Sequence, residues 1–239
     1  MNKRVVIVVT SHNKMGNLDQ ADAKPTGIWV EELAVPYYQF LDAGIEVTIA
    51  SPLGGAVPFD PSSVADTGKN SPHVERFLHD AVAQKLVQST AMVATLNDAN
   101  FDAVFLPGGH GTMWDLPNDL AVTKLVEEQF AANKIVAAVC HGPAGLVSAK
   151  RADGKSILFG KKVNAFTDAE ETAAGLMHVV PFTLESRIRE LGGLFEGVAN
   201  WQPHAVRDGN LITGQNPASS EKVAALVLDA LRESTRLAA

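Results

Sequence analysis

The sequence has few of the features that mark secreted or nucleic-acid-binding proteins. Its 239 residues include one cysteine, Cys140, so no disulfide can form within the chain and nothing indicates an oxidising compartment. Its 20 lysines and arginines are outnumbered by 27 aspartates and glutamates, which gives a formal net charge of -7. Because a phosphate-binding surface needs clustered positive charge, we expect no nucleic-acid partner.

The chain also lacks a long apolar run. After the basic start, the apolar segment Val5–Val9 is too short for a secretory signal, and no later stretch reaches the length of a membrane span. We therefore expect a cytoplasmic protein with no membrane partner. Hydrophobic residues make up 46% of the chain, enough to bury a core, and we expect residues 1–239 to form a single domain.

Apolar runs alternate with helical patterns in the first two thirds of the chain. Val5–Thr10 and Ile45–Ala50 are strand-like runs separated by a helix-like segment at Val30–Ala43, and this spacing indicates a parallel sheet covered on both faces. Ala103–Leu106 and Ile135–Val139 are further strands, with an amphipathic helix between them. The sequence therefore predicts a doubly wound, mostly parallel α/β fold.

The remaining segments are shorter or less regular. Lys162–Phe166 and Leu211–Thr213 are strand candidates, and Phe182–Leu191 and Pro217–Arg232 have helical patterns. Residues 51–73 are rich in glycine, proline, serine and aspartate, and they are predicted to form an irregular loop insertion.

Cys140 ends a buried strand pattern and is followed at once by small residues. Ala138, two residues before it, and Gly142, two after, satisfy the steric requirement of a nucleophile elbow, a sharp turn from a strand into a helix. Such a turn would hold the sulfur near the positive end of the next helix and favour the thiolate. His141 adds an imidazole and a backbone N–H that could stabilise an oxyanion. These neighbours favour a nucleophile over a buried structural cysteine.

Two further segments carry polar groups near predicted strand or helix ends. In the glycine-rich turn after Leu106, the backbone N–H groups of Gly109 or His110 could approach a substrate oxygen, although a turn without chemistry is equally compatible. Glu31 and Glu32 begin the first helix and point about a quarter turn apart, so both cannot face one crevice. The residues alone favour a solvated acidic first turn.

Residues 166–171, Phe-Thr-Asp-Ala-Glu-Glu, leave two interpretations open. A carboxylate here could orient His141 and complete a cysteine-histidine-acid array. Alternatively, Asp168 could cap a helix, with Glu171 at the capping-box position. The other histidines lack metal-ligand spacing, so we predict neither a metal nor a cofactor.

Taken together, these segments resemble the DJ-1/PfpI superfamily, and within it the heat-shock-protein-31-like branch. The resemblance runs from Val5 to about Leu231 and is carried by five ordered segments: Thr-Gly-Ile-Trp-Val-Glu-Glu, Leu-Pro-Gly-Gly-His-Gly-Thr-Met-Trp-Asp, Ala-Val-Cys-His-Gly-Pro-Ala, Phe-Thr-Asp-Ala-Glu-Glu and Leu-Ile-Thr-Gly-Gln-Asn-Pro-Ala-Ser. It implies a flavodoxin-like, class I glutamine amidotransferase-like fold. It also implies a glutathione-independent glyoxalase, from a branch also described as chaperones and deglycases.

The resemblance implies roles for two glutamates. It places Glu32, not Glu31, against the elbow cysteine, where a protonated carboxyl would donate a hydrogen bond to a thiolate. It also makes Glu171, rather than Asp168, the acid that partners His141.

The implied reaction converts methylglyoxal to lactate without glutathione. Cys140 adds to the aldehyde carbon to give a hemithioacetal, which backbone N–H groups near Gly109 and His141 hold. His141 or Glu32 then moves a proton from C1 toward C2, and hydrolysis of the resulting thioester releases the product.

A small α-oxoaldehyde fits a narrow pocket, and Trp29, Met113 and Trp114 are candidates for its apolar wall or, alternatively, for ordinary core. By resemblance we also expect a homodimer, with unfolded or glycated proteins as further partners.

Three other functions share parts of this pattern. A holdase chaperone or redox sensor would use Cys140 for oxidation or not at all. A cysteine hydrolase or peptidase would need a roomier cleft and a distal histidine. A glutamine amidotransferase would need a His-x-Glu sequence near the C-terminus, where this chain has His204-Ala-Val-Arg207.

Overall fold

Nine strands and eight α-helices form the described part of the chain, residues 3–65, 70–96 and 100–237 of a computed structural model, with side chains to residue 234. The strands are β1 (Arg4–Val8), β2 (Glu46–Ser51), β3 (Ala91–Met92), β4 (Ala103–Leu106), β5 (Ile135–Val139), β6 (Lys162–Val163), β7 (Leu194–Phe195), β8 (Ala205–Asp208) and β9 (Leu211–Gly214). The helices are α1 (Val30–Asp42), α2 (Pro72–His79), α3 (Ala81–Gln88), α4 (Thr112–Asp115), α5 (Leu120–Ala131), α6 (Asp168–Ala173), α7 (Leu184–Glu190) and α8 (Ser220–Leu237).

Seven strands form the central sheet, in the order β3-β2-β1-β4-β5-β9-β8. All neighbouring pairs in it are parallel except β8 and β9, which are antiparallel. This arrangement confirms the predicted doubly wound, mostly parallel α/β fold. In such sheets the ligand crevice lies at the carboxyl ends of the strands.

Apolar residues on both faces of the strands build two separate cores. Along β1, Val5 and Ile7 pack into the core that contains apolar residues of α1 and α8, whereas Val6 and Val8 pack into the core that contains those of α5. Successive strand side chains point to opposite faces, so a continuous β-branched run suits a strand that is covered on both sides. The helices that cover the sheet therefore fix the carboxyl ends of β4 and β5 from both faces.

The C-terminal third differs from the sequence prediction in its strands. Of the predicted strand Lys162–Phe166, only Lys162–Val163 is paired as a strand, and its partner is Leu194–Phe195 in a separate two-stranded sheet. The edge strand β8 was not predicted, because Ala205–Asp208 has only two apolar residues followed by two charged ones, and of these four residues only Val206 is buried. The last helix extends beyond its predicted end to Leu237.

The predicted loop insertion at 51–73 contains a short 3₁₀ turn at Pro61–Val64 in its described residues, and its residues 66–69 lie outside them. Its central part packs against the segment that leads into α1. Thr26 donates a buried 2.8 Å hydrogen bond to Asp60, and a Cβ added to Gly27 would lie 2.1 Å from the carbonyl oxygen of Pro58. This loop therefore fixes the entry into α1. Within the described residues, no helix is both long and apolar enough to cross a membrane.

Candidate active site

Cys140 occupies the sharp turn that its neighbours predicted. Its φ is +58°, a left-handed conformation that a residue with a side chain adopts only when the surrounding structure holds it there. Its N–H donates to the carbonyl of Gly214 and its own carbonyl accepts from Phe166, each at 2.9 Å. A Cβ added to Gly142 would lie 1.9 Å from the Leu106 carbonyl oxygen, so only glycine fits there. The turn is a nucleophile elbow.

The expectation of a helix dipole that favours the thiolate is wrong. Gly142–Leu146 forms a 3₁₀ segment of five residues, not an α-helix, so little aligned dipole points at the sulfur. Burial raises the pKa of the Cys140 thiol well above its usual range, and the neighbouring Glu32 carboxyl raises it further. The backbone N–H of His141 opposes this shift by donating to the sulfur. The resting nucleophile is therefore a thiol that needs a base.

His141 lies in position to be that base. Its Nδ1 is 3.2 Å from the Cys140 sulfur, and its Nε2 is 2.8 Å from Oε2 of Glu171. Burial, together with the nearby His110, lowers the pKa of His141 to about 4, so the ring is neutral near pH 7. Because an ionised carboxylate can only accept, the ring proton belongs on Nε2 and the Nδ1 lone pair faces the thiol.

Glu171 is free to orient His141 because the helix cap uses other residues. Thr167 is the N-cap of α6, and Glu170 completes its capping box, so the alternative with Asp168 as the cap is wrong. Asp168 instead accepts a hydrogen bond from Ser186. Burial acts to raise the pKa of Glu171, but hydrogen bonds from two histidines outweigh it and lower the pKa to about 2. Glu171 is therefore a carboxylate throughout the physiological range.

Glu32 lies on α1 and faces the sulfur from the other side of the site. It is fully buried, whereas its neighbour Glu31 is partly exposed. Its Oε2 accepts a 2.7 Å hydrogen bond from the N–H of Gly108, and its carboxyl interacts with the Cys140 sulfur. Burial raises its pKa to about 8, although the hydrogen bond from Gly108 and the neighbouring Cys140 thiol act to lower it. Near neutral pH the carboxyl is therefore mostly protonated and can donate to the sulfur.

The glycine-rich turn after β4 brings its backbone close to Cys140. A Cβ on Gly108 would lie 2.5 Å from the His141 nitrogen, and one on Gly109 would lie 2.3 Å from the carbonyl oxygen of Gly27. Gly109 also has a φ of +107°. Its N–H donates to no acceptor in the described part of the chain. That N–H is therefore available to an oxyanion, and the N–H of His141, which donates to the sulfur, is a second backbone donor beside the reacting atom.

The side chain of His110 also belongs to the site, whereas the sequence indicated only a role for its backbone N–H. Its Nε2 is 3.0 Å from Oε1 of Glu171, and its ring centre lies 4.0 Å from that of His141. The signal for this contact was weak, since a histidine in a glycine-rich turn carries no information about which way its ring points.

A cavity of about 220 Å³ opens onto the sulfur. It brings together most of the predicted site residues and adds aromatic and apolar ones. Its lining is formed by Trp29, Glu32, Gly109, His110, Cys140, His141, Phe166, Ala174, Trp201 and Pro217.

Met113 and Trp114 do not line this cavity, so their predicted place in its wall is wrong. Met113 is buried in the core on the α5 side of the sheet, whereas Cys140 and Phe166 belong to the opposite core. Trp114 stacks on His12, and it lines a separate cavity with Met113. Phe166 and Trp201, whose ring centres are 5.6 Å apart, supply the aromatic wall instead.

One set of described side chains has the spacing to be considered for a metal ion. Donor atoms of His110, His141 and Glu171 all lie within 4.8 Å of one another. The two direct hydrogen bonds from the rings to Glu171 account for this approach. We therefore interpret these residues as a hydrogen-bonded array.

Fold and site together define a class: α/β proteins with a cysteine on a nucleophile elbow, a histidine-acid pair on one side of the sulfur and a second carboxyl on the other. A family model described as the DJ-1/PfpI family matches residues 27–230, and the chain belongs to that family. This confirms the resemblance seen in the sequence.

Individual relatives lie in the branch that the motifs indicated. The chain is 30% identical to the glutathione-independent glyoxalase HSP31 of Saccharomyces cerevisiae, over 96% of this chain and 98% of the relative. Among solved structures, it is similar to glyoxalase III of Candida albicans, with 28% identity, a TM-score of 0.84 and coverage of 95% and 97%. It is also similar to the Rapid Encystment Protein of Francisella tularensis, with 36% identity, a TM-score of 0.90 and coverage of 96% and 99%.

Proposed function

We propose that this protein is a glutathione-independent glyoxalase that converts methylglyoxal and related α-oxoaldehydes to 2-hydroxy acids, with D-lactate the product from methylglyoxal. One observation carries the chemistry: His141 contacts the Cys140 sulfur through Nδ1 at 3.2 Å and Glu171 through Nε2 at 2.8 Å. A second supports the substrate class, since relatives of nearly the same length carry the name glutathione-independent glyoxalase.

The first step is attack of the sulfur on the aldehyde carbon. His141 takes the thiol proton on Nδ1 as the S–C1 bond forms, and Glu171 stabilises the resulting imidazolium. This order suits a buried thiol whose pKa is raised, because the proton leaves only when the new bond is made. The charge that develops on the aldehyde oxygen can be stabilised by the N–H groups of Gly109 and His141. Return of the proton from His141 to that oxygen gives a neutral hemithioacetal.

The second step moves hydrogen from C1 to C2 without any net oxidation. An enediol intermediate converts the hemithioacetal to the thioester of a 2-hydroxy acid. Water then attacks the thioester carbonyl, and the 2-hydroxy acid leaves as the thiol is restored. His141 can accept the proton of that water, as it accepted the thiol proton in the first step.

The cavity suits small substrates. Its volume of about 220 Å³ is below the usual range of roughly 300–1,000 Å³ for sites that hold drug-sized ligands. Its aromatic wall can pack against the substituent of an α-oxoaldehyde, and Cys140 lies at the same cavity. A peptide would need a longer groove, which disfavours the peptidase alternative.

The test is turnover of methylglyoxal by purified protein in the absence of glutathione, followed with a stereospecific lactate assay. We expect wild type to produce D-lactate, and Cys140→Ala and Cys140→Ser to lose at least 1,000-fold in kcat, on the order of the losses from removing other nucleophiles. Glu31→Gln, which changes a partly exposed carboxylate on the same helix, is the matched control and should keep wild-type activity. Equal methylglyoxal loss by wild type and Cys140→Ala would exclude this mechanism.

Four expectations stay predictions: a homodimer, a cytoplasmic location, a single domain over residues 1–239, and unfolded or glycated proteins as partners. Sedimentation velocity measures the oligomeric state directly. Suppression of client aggregation by wild type and by Cys140→Ala tests whether any chaperone activity depends on the cysteine.

A further inference from the structure

The side chain of His110 takes no part in the activation of Cys140, yet it lines the cavity onto which the sulfur opens. It sits beside His141, with ring centres 4.0 Å apart, and 12% of its side chain is exposed. It is therefore within reach of a molecule bound to Cys140.

Glu171 fixes the orientation of both histidine rings. Oε2 of its carboxylate contacts His141 at 2.8 Å, and Oε1 contacts His110 at 3.0 Å. Because an ionised carboxylate only accepts, each ring carries a proton on Nε2, and in the neutral form of either ring the lone pair lies on Nδ1. Nδ1 of His141 faces the sulfur, whereas Nδ1 of His110 has no hydrogen-bond partner among the described residues. The site thus holds two imidazole bases, and the thiol uses one.

The proposed reaction needs a base that is separate from the one serving the sulfur. His141 exchanges protons with the thiol and with the oxygen on C1, so its Nδ1 is directed at those atoms. Glu32 is a poor base near neutral pH, since its carboxyl is mostly protonated and one oxygen already accepts from Gly108. The base for the proton on C1 is therefore still unassigned.

We propose that Nδ1 of His110 is the base that carries the proton from C1 to C2 of the hemithioacetal. His110 removes the C1 proton, the C–H electron pair forms a C1=C2 double bond, and the C2 carbonyl oxygen takes the negative charge. The hydroxyl proton on the C1 oxygen passes to that oxygen. Protonated His110 then delivers its proton to C2 as the C1–O⁻ group becomes the thioester carbonyl. No oxidant or reductant is needed.

This inference rests on the proposed glyoxalase function, and His110→Gln is its most direct test. The glutamine amide can still donate to Glu171 but cannot accept a proton. We expect kcat for methylglyoxal to fall at least 100-fold, the usual contribution of a general base. The alkylation rate of Cys140 by iodoacetamide should stay within about threefold of wild type, because Cys140 and His141 keep their contacts. His12→Gln is the matched control, since His12 stacks on Trp114 outside the cavity, and it should retain activity.

A second readout separates a catalytic base from a positioning residue. With methylglyoxal deuterated at the aldehyde carbon, the isotope effect on kcat should be larger in His110→Gln than in wild type, because C1–H cleavage becomes rate-limiting. The same measurements are made on His110→Asn. Thermal unfolding of both variants shows whether either has a folding defect, so that such a defect is not mistaken for a catalytic effect.

Three outcomes would overturn the inference. The first is a His110→Gln variant that keeps kcat within tenfold of wild type. The second is a variant that loses activity and Cys140 alkylation together, which would make His110 a positioning residue. The third is an unchanged isotope effect. If wild type itself does not consume methylglyoxal, the proposed function fails, and that result is distinct from all three.

Discussion

Nε2 of His141 and Oε2 of Glu171 lie 2.8 Å apart, and both side chains are almost completely buried. Burial lowers the pKa of His141 to about 4, so this contact joins a neutral imidazole to a carboxylate. It fixes which nitrogen carries the proton, and therefore which nitrogen can act on Cys140. The contact spans 30 residues of sequence, and its two sides come from the turn after β5 and from helix α6.

Replacing Glu171 with glutamine should lower kcat/KM for methylglyoxal by about 100-fold to 10,000-fold. The neutral amide cannot stabilise the imidazolium, and it can donate to Nε2 and so favour the wrong tautomer. Steady-state kinetics measure the effect. Asp168→Asn is the control, because Asp168 begins the same helix but bonds Ser186, and it should remain near wild type. Loss of activity in the control alone would contradict the assignment of Glu171.

The pH dependence of kcat/KM should be bell-shaped. Activity should rise as pH passes about 4, where His141 loses its proton and can accept one from the thiol. It should fall as pH passes about 8, where Glu32 loses its proton and its charge opposes negative charge on the sulfur. In Glu32→Gln the fall near pH 8 should disappear, at a lower maximum rate. Wild-type activity that keeps rising to pH 10 would identify free thiolate as the reactive form and contradict this model.

Glu32 should also make the folded state less stable at alkaline pH. Its folded pKa of about 8 lies above the ordinary value of 4.5, so the folded state binds the proton more tightly than the unfolded state does. The stabilisation is complete below about pH 4.5, declines above it, and is lost as pH rises through about 8. A pKa unit corresponds to about 1.4 kcal/mol, so the total effect is several kcal/mol.

Urea unfolding at pH 5 and pH 8.5 measures this linkage. Between these values, the free energy of unfolding should decrease more in wild type than in Glu32→Gln, by on the order of 3 kcal/mol. Glu31→Gln serves as the control: it removes only the smallest of the contributions to the raised pKa of Glu32 and should follow wild type closely. Parallel pH dependences in wild type and Glu32→Gln would show that the buried carboxyl is not the group responsible.

Trp201 should determine how well the enzyme binds oxoaldehydes with large substituents. Its backbone is held at a φ of +63°, and its N–H donates 2.8 Å to the buried carboxylate of Glu170. Its ring packs near Phe166 in the cavity wall. Trp201→Ala should raise KM for phenylglyoxal about tenfold more than KM for methylglyoxal, because only the larger substrate loses an aromatic contact.

The ratio of the two KM values does not change if a substitution weakens the binding of both substrates equally, so it reports the loss of the aromatic contact alone. Trp114→Ala provides the control, since Trp114 lines the separate cavity and should leave the ratio of the KM values unchanged. Equal changes for both substrates in Trp201→Ala would show that the wall does not discriminate by size.

The strand core and the elbow could be predicted because their signals are local. A continuous β-branched run indicates a strand covered on both faces, whichever strands lie beside it. Small residues flank Cys140 because the turn leaves no space for larger side chains. The acid could not be chosen from the residues alone. Which of the three acidic side chains in α6 faces His141 depends on whether the cap lies at Thr167 or at Asp168, a shift of one residue. The family resemblance indicated Glu171, and in the structure Glu171 contacts His141 at 2.8 Å.

By itself, the sequence determined the doubly wound sheet, the sharp turn at Cys140 and the family, because each is written in contiguous residues. Only the tertiary structure decided the pKa of the Cys140 thiol and which side chains surround the sulfur. The burial that raises the pKa of Cys140, the carboxylate shared by His110 and His141, and the wall of Phe166 and Trp201 all arise between segments distant in the chain. Desolvation and hydrogen bonding depend on which groups meet in space, and linear order does not record that.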